Sequence, residues 1–220
     1  MKSQDILLLL KIVSLAKNDR TGSDYLHSKW QDWESEIDFR LADDGNLESV
    51  HLNPVATHEH SSTAQYSIRA LAEMTGISKS QVSLSLTRCY ESGIAKPDRL
   101  TDVPRVNTTA LGEFLVYGLK YVFPARRGSM TRGIATAWAA PVLGGRILTG
   151  GETAPVWPDA TGKTKGLALE PIYKTVPEAV KKDATLYGLL ALVDSIRIGL
   201  ARERAAATDL LIKMLEPENV

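Results

Sequence analysis

The sequence predicts a mainly α-helical protein with a small β content, on three observations. Apolar residues recur at helical spacing over Gln4 to Lys17, Ile68 to Tyr90 and beyond Pro177. A single glycine, Gly76, stands between two of these runs where a sharp interhelical corner needs one. From Ile134 to Leu169 the chain is instead rich in Gly, Pro, Ala and Thr, with short apolar pieces such as "IATAWAAPVL" and "PVWPD" that suit extended segments wrapped on a helical body.

The first helix runs from Gln4 to Lys17, with Ile6, Leu9, Leu10, Val13 and Ala16 on a broad apolar face. Its apolar run, "ILLLLKIV", is short, contains Lys11 and follows a polar start. It fits neither a membrane span nor a secretory leader, so no membrane partner and a cytoplasmic location are expected. Residues 18–66 carry 3 basic against 10 acidic residues and read as an acidic insertion. Within it Leu26, Trp30, Trp33 and Ile37 keep helical spacing from the cap Ser23, and "IDFRLADDGNLESVHL" alternates about a DDGN turn, which predicts a helix and then a β-hairpin. All four histidines, His27, His51, His58 and His60, lie here. His58-Glu59-His60 resembles a fragment of a metal site, but no closed set of ligands accompanies it, so a solvated loop is expected and no metal or other cofactor. The two tryptophans are expected to be exposed and to meet a partner.

Residues 67–132 reverse the charge, with 10 basic against 5 acidic residues. Ile68, Leu71, Ala72 and Thr75 recur at helical spacing, Gly76 stops the helix, and Ile77 is placed to fill the corner. Ser78 is a good N-cap for Lys79 to Tyr90, in which Val82, Leu86 and Cys89 form the inward stripe. The other face carries Lys79, Ser80, Gln81, Ser83 and Leu84, with Arg88 one turn on. Short hydroxyl and amide side chains at the start of a helix can reach base edges or phosphates, a Gln can pair bidentately with adenine, and Leu84 suits a thymine methyl. After Gly93 the loop "AKPDRLTDVPRV" supplies Lys96, Arg99 and Arg105, and Asn107 is the expected N-cap of a helix whose Leu111, Leu115, Tyr117, Leu119 and Val122 leave few polar positions. That helix must be largely buried or shared with a partner.

The pattern Ala72, Gly76, Ile77, Val82, with the basic loop behind it, resembles the bacterial winged helix-turn-helix regulators, MarR-like or antitoxin-like, over roughly Gln4 to Lys120 with the insertion interrupting it. The resemblance implies a recognition helix in the major groove of double-stranded DNA, read through Ser78, Lys79, Ser80, Gln81, Ser83, Leu84 and Arg88. It also implies a wing that sets Lys96, Arg99 and Arg105 along phosphates, and a homodimer that fixes half-site spacing. Ser85 departs from the pattern, since the family usually places an aliphatic residue there.

The expected organisation is a DNA-binding domain over 1–122, with the insertion at about 18–66, and a dimerisation or partner-binding region over 123–220. In the latter, Arg126, Arg127 and Arg132 are candidate phosphate or partner contacts. Gly162-Lys163-Thr164 is no phosphate loop, because the glycine that motif requires upstream is replaced by Trp157 or Pro158. Beyond Pro177, two helices divided near Gly199 are expected. Leu186, Leu189, Leu190, Val193, Ile196 and Ile198 would form an apolar surface, with Arg197, Arg202 and Arg204 projecting from the other side. This C-terminal half is similar to segments of uncharacterised bacterial regulators, some of which accompany toxin-antitoxin or phage-defence genes. No catalytic motif is present, and the lone Cys89 lies on the buried stripe. The expected function is a dimeric DNA-binding repressor. The alternative is an antitoxin or phage-defence module that covers a partner protein encoded nearby.

Overall fold

The computed structural model describes residues 1–21, 30–34, 63–148, 151 and 153–216. Helix α1 (Ser3–Thr21) is buried without a break from Gln4 to Leu15, and Ile6 to Leu10 are fully closed from solvent. The apolar face expected of it therefore extends around the helix, as in any helix placed inside a core. Even its polar residues Gln4, Asp5, Lys11 and Ser14 are buried, and each has a hydrogen-bonded partner on another element. Those partners offset the cost of removing the polar groups from water.

Helix α2 (Ile68–Thr75) starts at Ser67, whose hydroxyl accepts from the Ala70 N–H at 3.2 Å, and stops where Gly76 takes φ +68°. Thr175 lies 3.0 Å from where a Cβ on Gly76 would stand, so both conformation and space select glycine. Ile77 is buried in the corner, and α3 (Lys79–Glu91) follows with Val82, Ser85, Leu86 and Cys89 facing inward. Ser78 occupies the N-cap position expected of it, but its hydroxyl makes no capping bond and lies 3.4 Å from that of Ser80.

Strands β1 (Ala95–Pro97) and β2 (Pro104–Val106) pair antiparallel, with Lys96 opposite Arg105. Asp98 organises the turn between them: one carboxylate oxygen accepts from the Leu100 and Thr101 N–H groups and from the Thr101 hydroxyl. Helix α4 begins as Thr108–Glu113 behind Asn107, whose side chain accepts from the Ala110 N–H at 3.1 Å. It widens into a π-helical turn over Phe114–Gly118 and ends α-helical over Leu119–Val122. Leu111, Leu115 and Leu119 are buried at four-residue spacing, whereas Tyr117 and Tyr121 are 74% and 75% exposed. Among the described residues, only one side of this helix is therefore covered.

Strands β3 (Arg127–Ala135), β4 (Pro155–Pro158) and β5 (Thr164–Leu169) close on one another, β3 antiparallel to both neighbours and β4 parallel to β5. Closing only three strands forces backbones together. A Cβ on Gly133 would stand 2.0 Å from the Trp157 carbonyl oxygen, and one on Gly166 would stand 2.0 Å from that of Ala154.

Residues 30–34 dock on this sheet. Trp33 bridges to Gly162, the Lys163 N–H donates to the Asp32 carbonyl at 2.9 Å, and the Asp32 carboxylate accepts from the Ala135 N–H at 2.6 Å and the Thr164 hydroxyl at 2.8 Å. Two expectations change here. Trp30 and Trp33 are not helical, because the chain is extended to meet the sheet, and they are not exposed. Both pack on Tyr187, with ring centroids 6.0 Å and 6.1 Å from it. Ser23, Leu26, Ile37, the DDGN turn and all four histidines fall outside the described residues.

Three helices follow among the described residues: α5 (Val176–Val180), α6 (Ala184–Ile198) and α7 (Ala201–Leu215), the last two divided at Gly199 as the sequence predicts. Arg197 does not project outward. Its guanidinium meets Asp194 at 2.7 Å with both side chains nearly closed from solvent, and Asp194 also accepts from the Thr136 hydroxyl and the Trp157 indole N–H. Arg202 is exposed, while Arg204 is partly buried and donates to the Gly199 carbonyl. One hydrophobic cluster includes residues of α1, α3, α4, α6 and α7, and so crosses the division expected after Val122.

Candidate nucleic-acid interface

The outward face of α3 is the most polar helical surface beside a basic loop among the described residues. Ser80, Ser83, Leu84 and Thr87 lie on it, with Ser78 and Lys79 at its start, all exposed. Leu84 is 51% exposed and stands among hydroxyls. The unpaired N–H groups and the dipole of the first turn favour an anion there.

Beside α3 stands the β1–β2 hairpin. Lys96, Arg99 and Arg105 are exposed on it, and Leu100 at its tip is 96% exposed. Arg105 is 3.7 Å from Asp98, an exposed contact that leaves its charge largely available. A groove of about 410 Å³ separates α3 from the turn of the hairpin, lined among others by Ser67, Ser83, Thr87, Tyr90, Thr101 and Asp102. Burial pushes the Tyr90 phenol above its ordinary range, and the Asp102 charge adds to the shift. The surface also carries exposed acids, Glu73 on α2, Glu91 on α3 and Asp102 in the turn.

Two of the residues expected on this face are turned toward α1. The Arg88 guanidinium makes a bidentate pair with Asp5, Nε to Oδ2 at 3.0 Å and Nη2 to Oδ1 at 2.6 Å. The Gln81 carbonyl accepts from the Gln4 amide at 2.9 Å. Ser85 explains its departure from an aliphatic residue: its oxygen accepts from Gln4 at 3.1 Å and from Arg88 at 3.0 Å. Burial alone would raise the Asp5 pKa, yet hydrogen bonds from Arg88, the Lys2 N–H and Ser85, with the Arg88 charge, hold it below the usual carboxylate range. Arg88 is in turn raised, chiefly by its hydrogen bonds to Asp5. Sequence reading missed Gln4, Asp5 and Ser85 as a unit. The available signals were a polar pair opening an otherwise apolar helix and a serine on a buried stripe.

Arg126, Arg127 and Arg132 belong to another part of the fold, at and within β3. Arg126 lies 3.7 Å from Glu170, Arg127 donates to the Ile198 carbonyl, and Arg132 donates to the Gly162 carbonyl and to Glu34. Cys89 is fully buried, and burial pushes its thiol up to about 12, with the Asp5 charge adding to the effect. It therefore presents no thiolate at neutral pH.

Among the described residues, no group of three His, Cys, Asp or Glu side chains could hold a metal ion, and no helix is long and apolar enough to cross a membrane. No protein-family model, curated protein or solved structure matches this chain.

Proposed function

We propose that this chain is a sequence-specific double-stranded DNA-binding regulator of the winged helix-turn-helix kind, acting as a dimeric repressor. The observation that carries the reading is the juxtaposition of the exposed Ser80–Ser83–Leu84–Thr87 face of α3 with a hairpin that exposes Lys96, Arg99 and Arg105. An α-helix enters the major groove, and cations on a projecting hairpin neutralise phosphates beside it. Hydroxyls and a methyl-bearing side chain on the helix reach base edges and thymine methyls. The order α1, α2, Gly76, α3, hairpin also agrees with such a module. A second copy would cover Tyr117, Tyr121 and Val122 on the open side of α4.

The same open side favours the second reading, a module whose work is to cover a partner protein, because exposed aromatic residues on one helix suit an interface. The test is fluorescence anisotropy of the purified protein with labelled random duplex at low and moderate salt. Binding that weakens steeply with salt, followed by recovery of a defined motif from a random-sequence pool, supports the DNA reading. Failure to retain duplex even at low ionic strength overturns it and leaves the partner-covering reading.

A further inference from the structure

We propose that two copies of this chain pair through the open side of α4, antiparallel about a two-fold axis at Tyr117, so that Glu113 of each copy meets the partner's Lys120 and the partner's Tyr121. The assignment rests on the dimeric reading above and specifies which residues face each other across the axis.

The open side is a straight ridge because α4 is not a plain α-helix. At 3.6 residues per turn, a four-residue step drifts by about 40° around the axis, so Glu113, Tyr117 and Tyr121 would wind away from one side of a regular helix. The π-helical turn over Phe114–Gly118 is wider and offsets that drift. Leu111, Leu115 and Leu119 accordingly stay buried along one line, while Glu113, Tyr117 and Tyr121 stay exposed along the other. A groove of about 360 Å³ runs beside this ridge, with Gly112 and Val116 on one wall and Ile212 and Leu215 of α7 on the other. It widens the surface toward the area that a stable dimer needs.

Charge decides the occupant and its direction. Glu113 is exposed at one end of the ridge, and at the other end Lys120 holds its ammonium 4.6 Å from the centre of the Tyr121 ring. Neither charge forms an ion pair among the described residues. Glu113 and Tyr121 are each four residues from Tyr117, so a two-fold axis there exchanges the acidic end with the basic one. A two-fold interface joins the same patch to itself and must therefore be self-complementary. Antiparallel pairing meets this requirement: it sets carboxylate against ammonium twice and brings the two Tyr117 rings together at the centre. Parallel pairing would set Glu113 against Glu113 and Lys120 against Lys120, which like charges oppose. Opposite charges balanced about one aromatic residue are what a second copy of this chain uses.

The experiment measures the oligomeric state of the full chain by sedimentation equilibrium, for the wild type, Glu113→Lys, Lys120→Glu and the double variant that carries both changes. All four positions involved are on the surface or at its edge, and circular dichroism confirms that each variant is folded. The wild type should be a dimer at micromolar concentration, each single reversal should weaken it by roughly tenfold or more, and the double variant should recover it. Cysteine cross-linking reads the register. The native Cys89 is buried, so an added cysteine is the thiol that reacts. Tyr117→Cys should form a covalent dimer on oxidation with diamide. Glu113→Cys should not, because its two copies would lie about 12 Å apart along the ridge, beyond the reach of a disulfide. A wild type that sediments as a monomer throughout overturns the inference together with the dimeric part of the reading above. A dimer that Glu113→Cys cross-links, or that the double variant fails to restore, overturns this pairing alone. DNA binding is read separately in the anisotropy titration, so its failure is distinct from either result.

Discussion

Lys11 on α1 and Asp183 at the start of α6 are 172 residues apart in the chain, and their charged atoms meet at 2.7 Å with both side chains nearly closed from solvent. Asp183 also accepts from the Ser14 hydroxyl and from the Leu186 N–H at 2.9 Å, so one carboxylate caps α6 and ties it to α1. Removing the lysine would leave that carboxylate buried with only neutral donors. Lys11→Met is therefore expected to lose about 3 kcal/mol or more of stability. Urea unfolding measures this, and the Lys11→Met/Asp183→Asn double variant should lose less than the sum of the single changes. A loss below about 1 kcal/mol for Lys11→Met would show that the pair does not tie the helices together.

Asp5 supplies a pH dependence whose sign follows from its partners. Its folded pKa lies below the value of 3.8 for the free side chain, so the stability it contributes is present above that value and is lost as pH falls through the folded pKa. Between pH 5 and pH 2, on the scale of ordinary carboxylates, the wild type should therefore lose stability more steeply than Asp5→Asn. Urea midpoints at several pH values decide it, and parallel curves would show that Asp5 gains nothing from Arg88.

Arg88 and Arg99 should separate in their effects. Arg88→Ala leaves a buried carboxylate without its charged partner, so unfolding should occur at lower urea whether or not DNA is present. Arg99→Ala should leave the unfolding midpoint unchanged, weaken all duplexes alike and reduce the slope of log K against log salt by about 0.9 if it meets one phosphate. An unchanged slope would take Arg99 out of the interface.

Cys89 offers a chemical test of the corner. With the thiol buried and raised to about 12, iodoacetamide at pH 8 should leave the native protein unmodified and alkylate it fully in denaturant. Rapid modification of the native chain would place Cys89 outside the packed stripe.

The three-stranded closure is expected to tolerate no Cβ at its tightest points. Gly133→Ala and Gly166→Ala each set a methyl group 2.0 Å from a carbonyl oxygen. Each should destabilise the protein by about 3 kcal/mol or more, or prevent folding. Soluble expression and thermal unfolding report the outcome, and an unchanged melting temperature for both would contradict the closed arrangement.

Much of the framework was legible where the deciding chemistry is local. Gly76 ends α2 because it alone takes a positive φ there cheaply, Asn107 caps α4 through its own side chain, and Gly199 divides α6 from α7. The inward stripe of α3 followed from spacing, and so did the exposure of Ser80, Ser83 and Leu84. The tryptophans were misplaced for a physical reason. Helical spacing of Trp30 and Trp33 says nothing of Tyr187, which lies more than 150 residues away in the chain and buries both rings.

By itself, then, the sequence determined the mainly helical class, the corner at Gly76, the basic loop after Gly93 and the last two helices, because each depends on composition, spacing, a cap or a backbone conformation within a few residues. Tertiary structure alone decided where the charges go. Lys11, Arg88 and Arg197 occupy positions that periodicity assigns to a solvated face, yet each turns inward to a carboxylate. A cation follows its partner once both leave water, and for Lys11 and Arg88 that partner is far away in the chain. The same holds for Gln81, whose carbonyl meets the amide of Gln4 on α1, far away in the chain.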